Sequence, residues 1–117
     1  KSVGGIDGLG YSKKDQRSTL LLIGCTLGDI KDDIEKMINV KRELEKEVGP
    51  DVTILQAIFA QRKVSAGLDE QAGKSHIAIF DIDRIKNLYE SIEKGATTES
   101  VISMIRYYAT PHDLGAW

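Results

Sequence analysis

The sequence predicts an α/β domain, a small mixed β-sheet with helices packed on it. Three observations carry that prediction. Thr19 to Cys25 (TLLLIGC), Val52 to Ala60 (VTILQAIFA) and His76 to Phe80 (HIAIF) are apolar runs of strand length with little polar alternation, as expected of strands covered on both faces. The segments between and after them are charged, with apolar residues at helical spacing. The first 18 residues hold no such helical segment, so the chain opens on a hairpin.

The first strand is read at Val3 to Tyr11 (VGGIDGLGY), which holds four glycines. A short polar stretch, Ser12 to Ser18 (SKKDQRS), joins it to the run at Thr19. No helix fits in that gap, so the two strands pair antiparallel. A long helix then begins after Gly28-Asp29. Asp29 is a good N-cap, and Asp32 and Asp33 put negative charge where the helix dipole favours it. Ile30, Ile34, Met37, Ile38, Leu44 and Val48 form its apolar stripe. Gly49-Pro50 ends it, with Gly49 as a left-handed cap. The opposite face, with Lys31, Glu35, Lys36, Arg42, Glu43, Lys46 and Glu47, reads as solvated.

After the strand at Val52, residues 61 to 75 are polar, with one helical turn expected at Leu68 to Ala72. His76 opens the fourth strand. Asp83 is expected to cap a helix with Ile85, Leu88, Tyr89 and Ile92 inward, ending at Gly95. Thr97 or Thr98 opens a last helix with Val101, Ile102, Ile105 and Tyr108 inward, stopping near Pro111. The order is β-β-α-β-β-α-α, with a short helical turn between the third and fourth strands.

The 117 residues suit a single domain able to bury roughly two-thirds of its unfolded surface without disulfide or metal. The net charge of −2 excludes a domain that holds nucleic acid by bulk charge, though not one with a local basic patch. One cysteine excludes a disulfide scaffold and a multi-thiolate zinc site, and fits a reducing cytoplasm. No apolar run is long enough to span a membrane. The chain opens on Lys1 without a leader pattern, and we expect it to be a piece of a longer protein.

Gly4-Gly5-Ile6-Asp7-Gly8-Leu9-Gly10 is the densest glycine segment. A dinucleotide loop needs a helix directly after it, and a second strand follows here instead. The glycines suit strand bends and close backbone approach. Asp7 reads either as a turn residue or as a carboxylate with open space around it, as a divalent cation needs.

A strand with Gly-x-Asp-Gly, a hairpin, an apolar strand, a long helix, then strand, short helix, strand and helix resembles the PD-(D/E)xK superfamily of restriction-endonuclease-like nucleases. The resemblance covers about residues 3 to 95. It implies a single nuclease-like domain over 1–117, with Asp7 as the metal-binding aspartate. The positions for the catalytic carboxylate and lysine then fall on Gly24 and Thr26, and neither residue type can do that work. Mg2+ chemistry needs at least two acidic ligands and a group that orients water. Either ligands have moved to the next helix (Asp29, Lys31, Asp32, Glu35 or Lys36), or an upstream helix supplies a glutamate, or catalysis is lost. The last needs no compensating residue. The expected function is therefore a catalytically impaired domain of a DNA-processing protein that binds DNA or a partner. The alternatives are an active Mg2+-dependent DNA endonuclease and a non-catalytic protein-interaction module.

Basic residues Lys13, Lys14, Arg17, Arg62 and Lys63 are candidate phosphate contacts along DNA. Residues 1 to 17 hold four cations against Asp7 and Asp15. Partners other than DNA would be another domain of the parent protein or a second copy. Tyr107, Tyr108 and Trp117 suit packing as well as base stacking. Cys25 reads as a small core residue, or as a nucleophile if His76 or His112 stood near it.

Overall fold

A computed structural model describes residues 8–14, 17–26 and 29–109. Strand β1 (Gly8–Lys14) pairs antiparallel with β2 (Arg17–Thr26), from Gly8↔Ile23 to Lys14↔Arg17. Ser12, Lys13, Lys14 and Ser18 are thus ladder residues, and the polar stretch expected to be a connection is mostly strand. Polar side chains do not bar a residue from a ladder at a sheet edge, because the backbone makes the pairing. Residues 3–7 of the expected first strand lie outside the described residues.

Helix α1 (Ile30–Glu47) carries the chain from β2 to β3 (Val52–Ala60), and α2 (Ala66–Lys74) carries it from β3 to β4 (Ile77–Phe80). Both of these strand pairs are parallel. Two helices follow, α3 (Ile82–Glu93) and α4 (Thr98–Tyr108). The described sheet has the order β1-β2-β3-β4. The result is a mixed α/β layer structure.

Strand periodicity divides the core in two. Leu22, Ile54, Ile58, Ile77 and Ile79 face Ile30, Ile34 and Met37 of α1 and Ala72 of α2. Leu55, Ala57, Ala78 and Phe80 face Leu88 of α3 and Ile105 of α4. α3 and α4 pack over β3 and β4. The expectation that Thr19 to Cys25 is covered on both faces therefore holds only toward α1. Leu21 and Ile23 are half-buried and Cys25 is exposed, not a core residue.

Local signals explain the helix ends. Asp29 accepts a hydrogen bond from the Lys31 N–H at 2.9 Å, as an N-cap should. α1 stops as Val48 turns extended (ψ 153°), with its N–H on the Leu44 carbonyl at 2.9 Å. Gly49 is not left-handed, so the expected glycine cap is corrected: Pro50, which cannot continue a helix, follows directly. Gly95 does take that role after α3, at φ 90°. α2 is a nine-residue helix, longer than the turn expected, capped by Ser65, whose Oγ accepts from the Leu68 N–H at 3.3 Å. His76 is a left-handed turn residue (φ 59°) and not the first residue of the fourth strand. Asp81, not Asp83, caps α3, by accepting from the Arg84 N–H at 3.0 Å. Thr97 caps α4 as read. Tyr89 (62% exposed) and Ile92 (53%) lie outward, so the inner face of α3 is narrower than expected. Ile85 and Leu88 make its contact.

Candidate functional site

The three parallel strands end along one edge, at Thr26, Ala60 and Phe80, with Thr26 beside Ala60 and Phe59 beside Phe80. The capping residues Asp29, Ser65 and Asp81 bring the N-termini of α1, α2 and α3 to the same edge. In open α/β sheets ligands bind outside the carboxyl ends of strands, which makes this edge the place to look for chemistry.

Gly24 and Thr26 both lie here, on the face of β2 that carries Leu22 toward α1, and both are buried. Their register partners are Ile58 and Ala60, which bring no charge. Asp7 lies outside the described residues. In sequence it precedes Gly8, whose partner is Ile23. On α1, Lys31, Asp32, Glu35 and Lys36 are exposed, and only Ile30, Ile34 and Met37 are buried against the sheet. The Asp29 carboxylate is engaged in its cap. Among the described residues no three His, Cys, Asp or Glu side chains gather closely enough to hold a metal ion. The described residues therefore do not by themselves fit a Mg2+ site. His76 precedes the amino end of β4, whereas Cys25 lies near the carboxyl end of β2, so the fold does not bring His76 to Cys25; His112 lies outside the described residues.

The basic candidates fall into two groups that the fold does not bring together. Lys13 and Lys14 end β1, and Arg17 begins β2. That rung lies just past Ser18↔Val52, at the amino end of β3. Arg62 and Lys63 follow its carboxyl end, a strand length of roughly 26 Å away. Both are exposed, and Lys63 Nζ stands 3.3 Å from Asp83 Oδ2 in an ion pair open to solvent.

Two features escape a sequence reading. Arg84, in the first turn of α3, donates from Nη1 and Nη2 to the two Asp69 carboxylate oxygens at 2.8 and 3.1 Å. Nη1 also donates to the Ile79 carbonyl at 2.8 Å, and the guanidinium carbon lies 4.1 Å from the centre of the Tyr108 ring. Burial disfavours the charge, but the hydrogen bond and charge of Asp69 outweigh it, and the Arg84 pKa rises above its ordinary value. This cluster walls a cleft of about 240 Å3, lined also by Val64, Ala66 and Asp81. Its charged groups are already partnered, so it is a tie between elements. The second feature is Gln56, fully buried on β3, whose Nε2 donates to the Met37 carbonyl at 2.7 Å. No local spacing signals either one, because Asp69 and Arg84 stand on different helices and Gln56 sits in an otherwise apolar run. Compared with protein-family models, curated proteins and solved structures, the chain finds no match.

Proposed function

We propose that this chain is a restriction-endonuclease-like domain of a DNA-processing protein that has lost phosphodiester hydrolysis and acts by binding DNA or a partner. The observation that carries this reading is the environment of Gly24 and Thr26. They stand at the carboxyl end of β2, where the resembled nucleases keep a carboxylate and a lysine, and they are buried beside Ile58 and Ala60. The chain order, a hairpin whose second strand continues through α1, β3, α2 and β4, supports the same resemblance. The charged residues of α1 that would replace the missing pair are exposed to solvent, which favours lost over migrated catalysis.

The test is cleavage of linear, branched and single-stranded DNA with Mg2+ or Mn2+, beside calorimetric titration of each metal. We expect no product and no binding heat. Metal-dependent cutting by the purified chain would sink the reading. In that event Asp7→Ala should abolish the activity with little effect on folding, because Asp7 is then the remaining acidic ligand the resemblance supplies.

A further inference from the structure

We propose that the groove between α3 and the β1–β2 pair docks an amphipathic helix of a partner, apolar toward the groove and basic along the flank that meets α3. This rests on the reading above of a domain that acts by binding, and it names the class of partner. Among the described residues four large apolar side chains stand exposed, and three of them, Ile82, Tyr89 and Ile92, are on α3. With half-buried Ile85 they recur at i, i+3, i+7 and i+10. That spacing makes one stripe roughly 15 Å long. Arg84 leaves α3 on the flank that meets Tyr108 of α4. At about 100° per residue the stripe falls on the other side of buried Leu88, away from α4. α1 and α2 cross between parallel strands on the opposite face of the sheet. In the right-handed sense of such crossovers, the flank of α3 away from α4 is the one toward β2.

The floor of the groove is the face of β2 that α3 and α4 leave open. Leu21 and Ile23 are half-buried there and Cys25 is exposed. Their neighbours on β1 are Gly10, beside Leu21, and Gly8, beside Ile23. Glycines carry no side chain and let another backbone come close. Two strands are roughly 10 Å broad, the diameter of one helix. An apolar wall, an apolar floor and that breadth suit a helix laid in the groove and anchored by side chains at helical spacing. The outer rim of α3 sets the sign of the partner. Lys86, Glu90 and Glu93 are exposed along it, one more acid than base, so a basic flank is favoured. A second copy of this chain is a poor occupant. If its α3 lay in the groove, its own Lys86, Glu90 and Glu93 would face the apolar floor and lose water without gaining partners.

The experiment is fluorescence anisotropy of a labelled helix-forming peptide of about 18 residues, with leucines at helical spacing and lysines beside them, titrated with the full chain. A scrambled peptide of the same composition and a version with glutamate for lysine are the comparisons. The lysine peptide should bind at least roughly tenfold more tightly than the scrambled one. Tyr89→Glu/Ile92→Glu should weaken its binding at least roughly tenfold, while Tyr107→Glu, on α4, should change it by less than about threefold. Glu90→Lys/Glu93→Lys should shift the preference toward the glutamate peptide. Bound peptide should also slow alkylation of Cys25, which lies on the floor. Circular dichroism confirms that each variant is folded. Equal binding of the scrambled peptide, or undiminished binding by Tyr89→Glu/Ile92→Glu, overturns the inference. So does sedimentation of the peptide-free chain as a dimer that the same variant separates, because a second copy is then the occupant. Alkylation of Cys25 as slow without peptide as with it overturns the inference too, because the groove is then already filled. In each of these cases the reading of lost hydrolysis stands, and metal-dependent cleavage of DNA sinks that reading whatever the peptide does.

Discussion

Gln56 is fully buried, yet only half of its amide is satisfied: Nε2 donates to Met37, while Oε1 is buried without a hydrogen-bond partner. An orphaned buried acceptor costs about 1–3 kcal/mol, more than a single hydrogen bond returns. The Met37 carbonyl lies inside α1, so it keeps a helical donor when Gln56 is removed. Gln56→Met, similar in volume and without the orphan, should therefore leave stability unchanged or raise it by about 1 kcal/mol. Urea unfolding with an unchanged slope would show this as a higher midpoint. A loss above about 1 kcal/mol would mean that the amide bond to α1 outweighs the orphan. The sequence does not announce this residue. A lone glutamine inside VTILQAIFA is consistent with an exposed alternate position, and only the cover of α1 on one face and of α3 and α4 on the other removes that option. Cys25 shows the reverse error. Its neighbours in TLLLIGC are apolar, but α3 and α4 do not reach far enough across the sheet to cover it.

At the scale of elements, caps and stripes were the most legible signals. Asp29, Thr97 and Gly95 act as their side chains and backbone freedom dictate, because capping is a local interaction. The inner face of α3 was less legible. Tyr89 and Ile92 fall within helical reach of Leu88, but how wide a stripe is buried depends on the partner's breadth, which the helix's own sequence does not encode. The ties between elements are least legible, and Arg84 is the clearest. One side chain joins α3 to α2 through Asp69, to the end of β4 through Ile79, and to α4 through Tyr108. Arg84→Met keeps the aliphatic length and leaves the Asp69 carboxylate, 19% exposed, without its cation. The expected cost is roughly 1–3 kcal/mol, below the fully buried case because water still reaches the pair. Arg84→Lys should recover only part of it, since an ammonium cannot engage both oxygens in one plane. Because the folded pKa of Arg84 is raised, its contribution is fully present below the unfolded value and is lost only as pH climbs above it. The difference between wild type and Arg84→Met therefore owes no change between pH 6 and 9 to Arg84 titration. Thermal unfolding at those two pH values checks both the size and the flatness.

For the molecule as a whole, class and order followed from a few strong patterns, while the extent of the layers did not. Continuous apolar runs at Val52 and His76 require cover on both sides, and the helices provide it, α1 and α2 on one face and α3 and α4 on the other. How far that cover extends over β2, and which basic residues end up together, depends on sheet order and strand length, which are properties of the assembled fold. The layered arrangement has an energetic consequence of its own. Ile34 lies in the α1 cluster and Phe80 in the α3–α4 cluster, with the sheet between them. Phe80 stacks on Phe59 at 5.2 Å and meets the Tyr108 ring edge-on at 5.4 Å. Ile34→Val should cost about 0.5–1.5 kcal/mol, and Phe80→Leu somewhat more because both ring contacts go. Combined, their effects should add to within about 0.5 kcal/mol, since they share no partner. Phe80→Leu with Tyr108→Leu should instead show a coupling of about 0.5–1.5 kcal/mol, the worth of one aromatic pair beyond its buried area. Denaturant titration of the two double-mutant cycles measures both terms. A coupling above about 1 kcal/mol between Ile34 and Phe80 would mean that the sheet does not insulate one layer from the other, and that substitutions beneath α1 are felt directly by the helices on the far face.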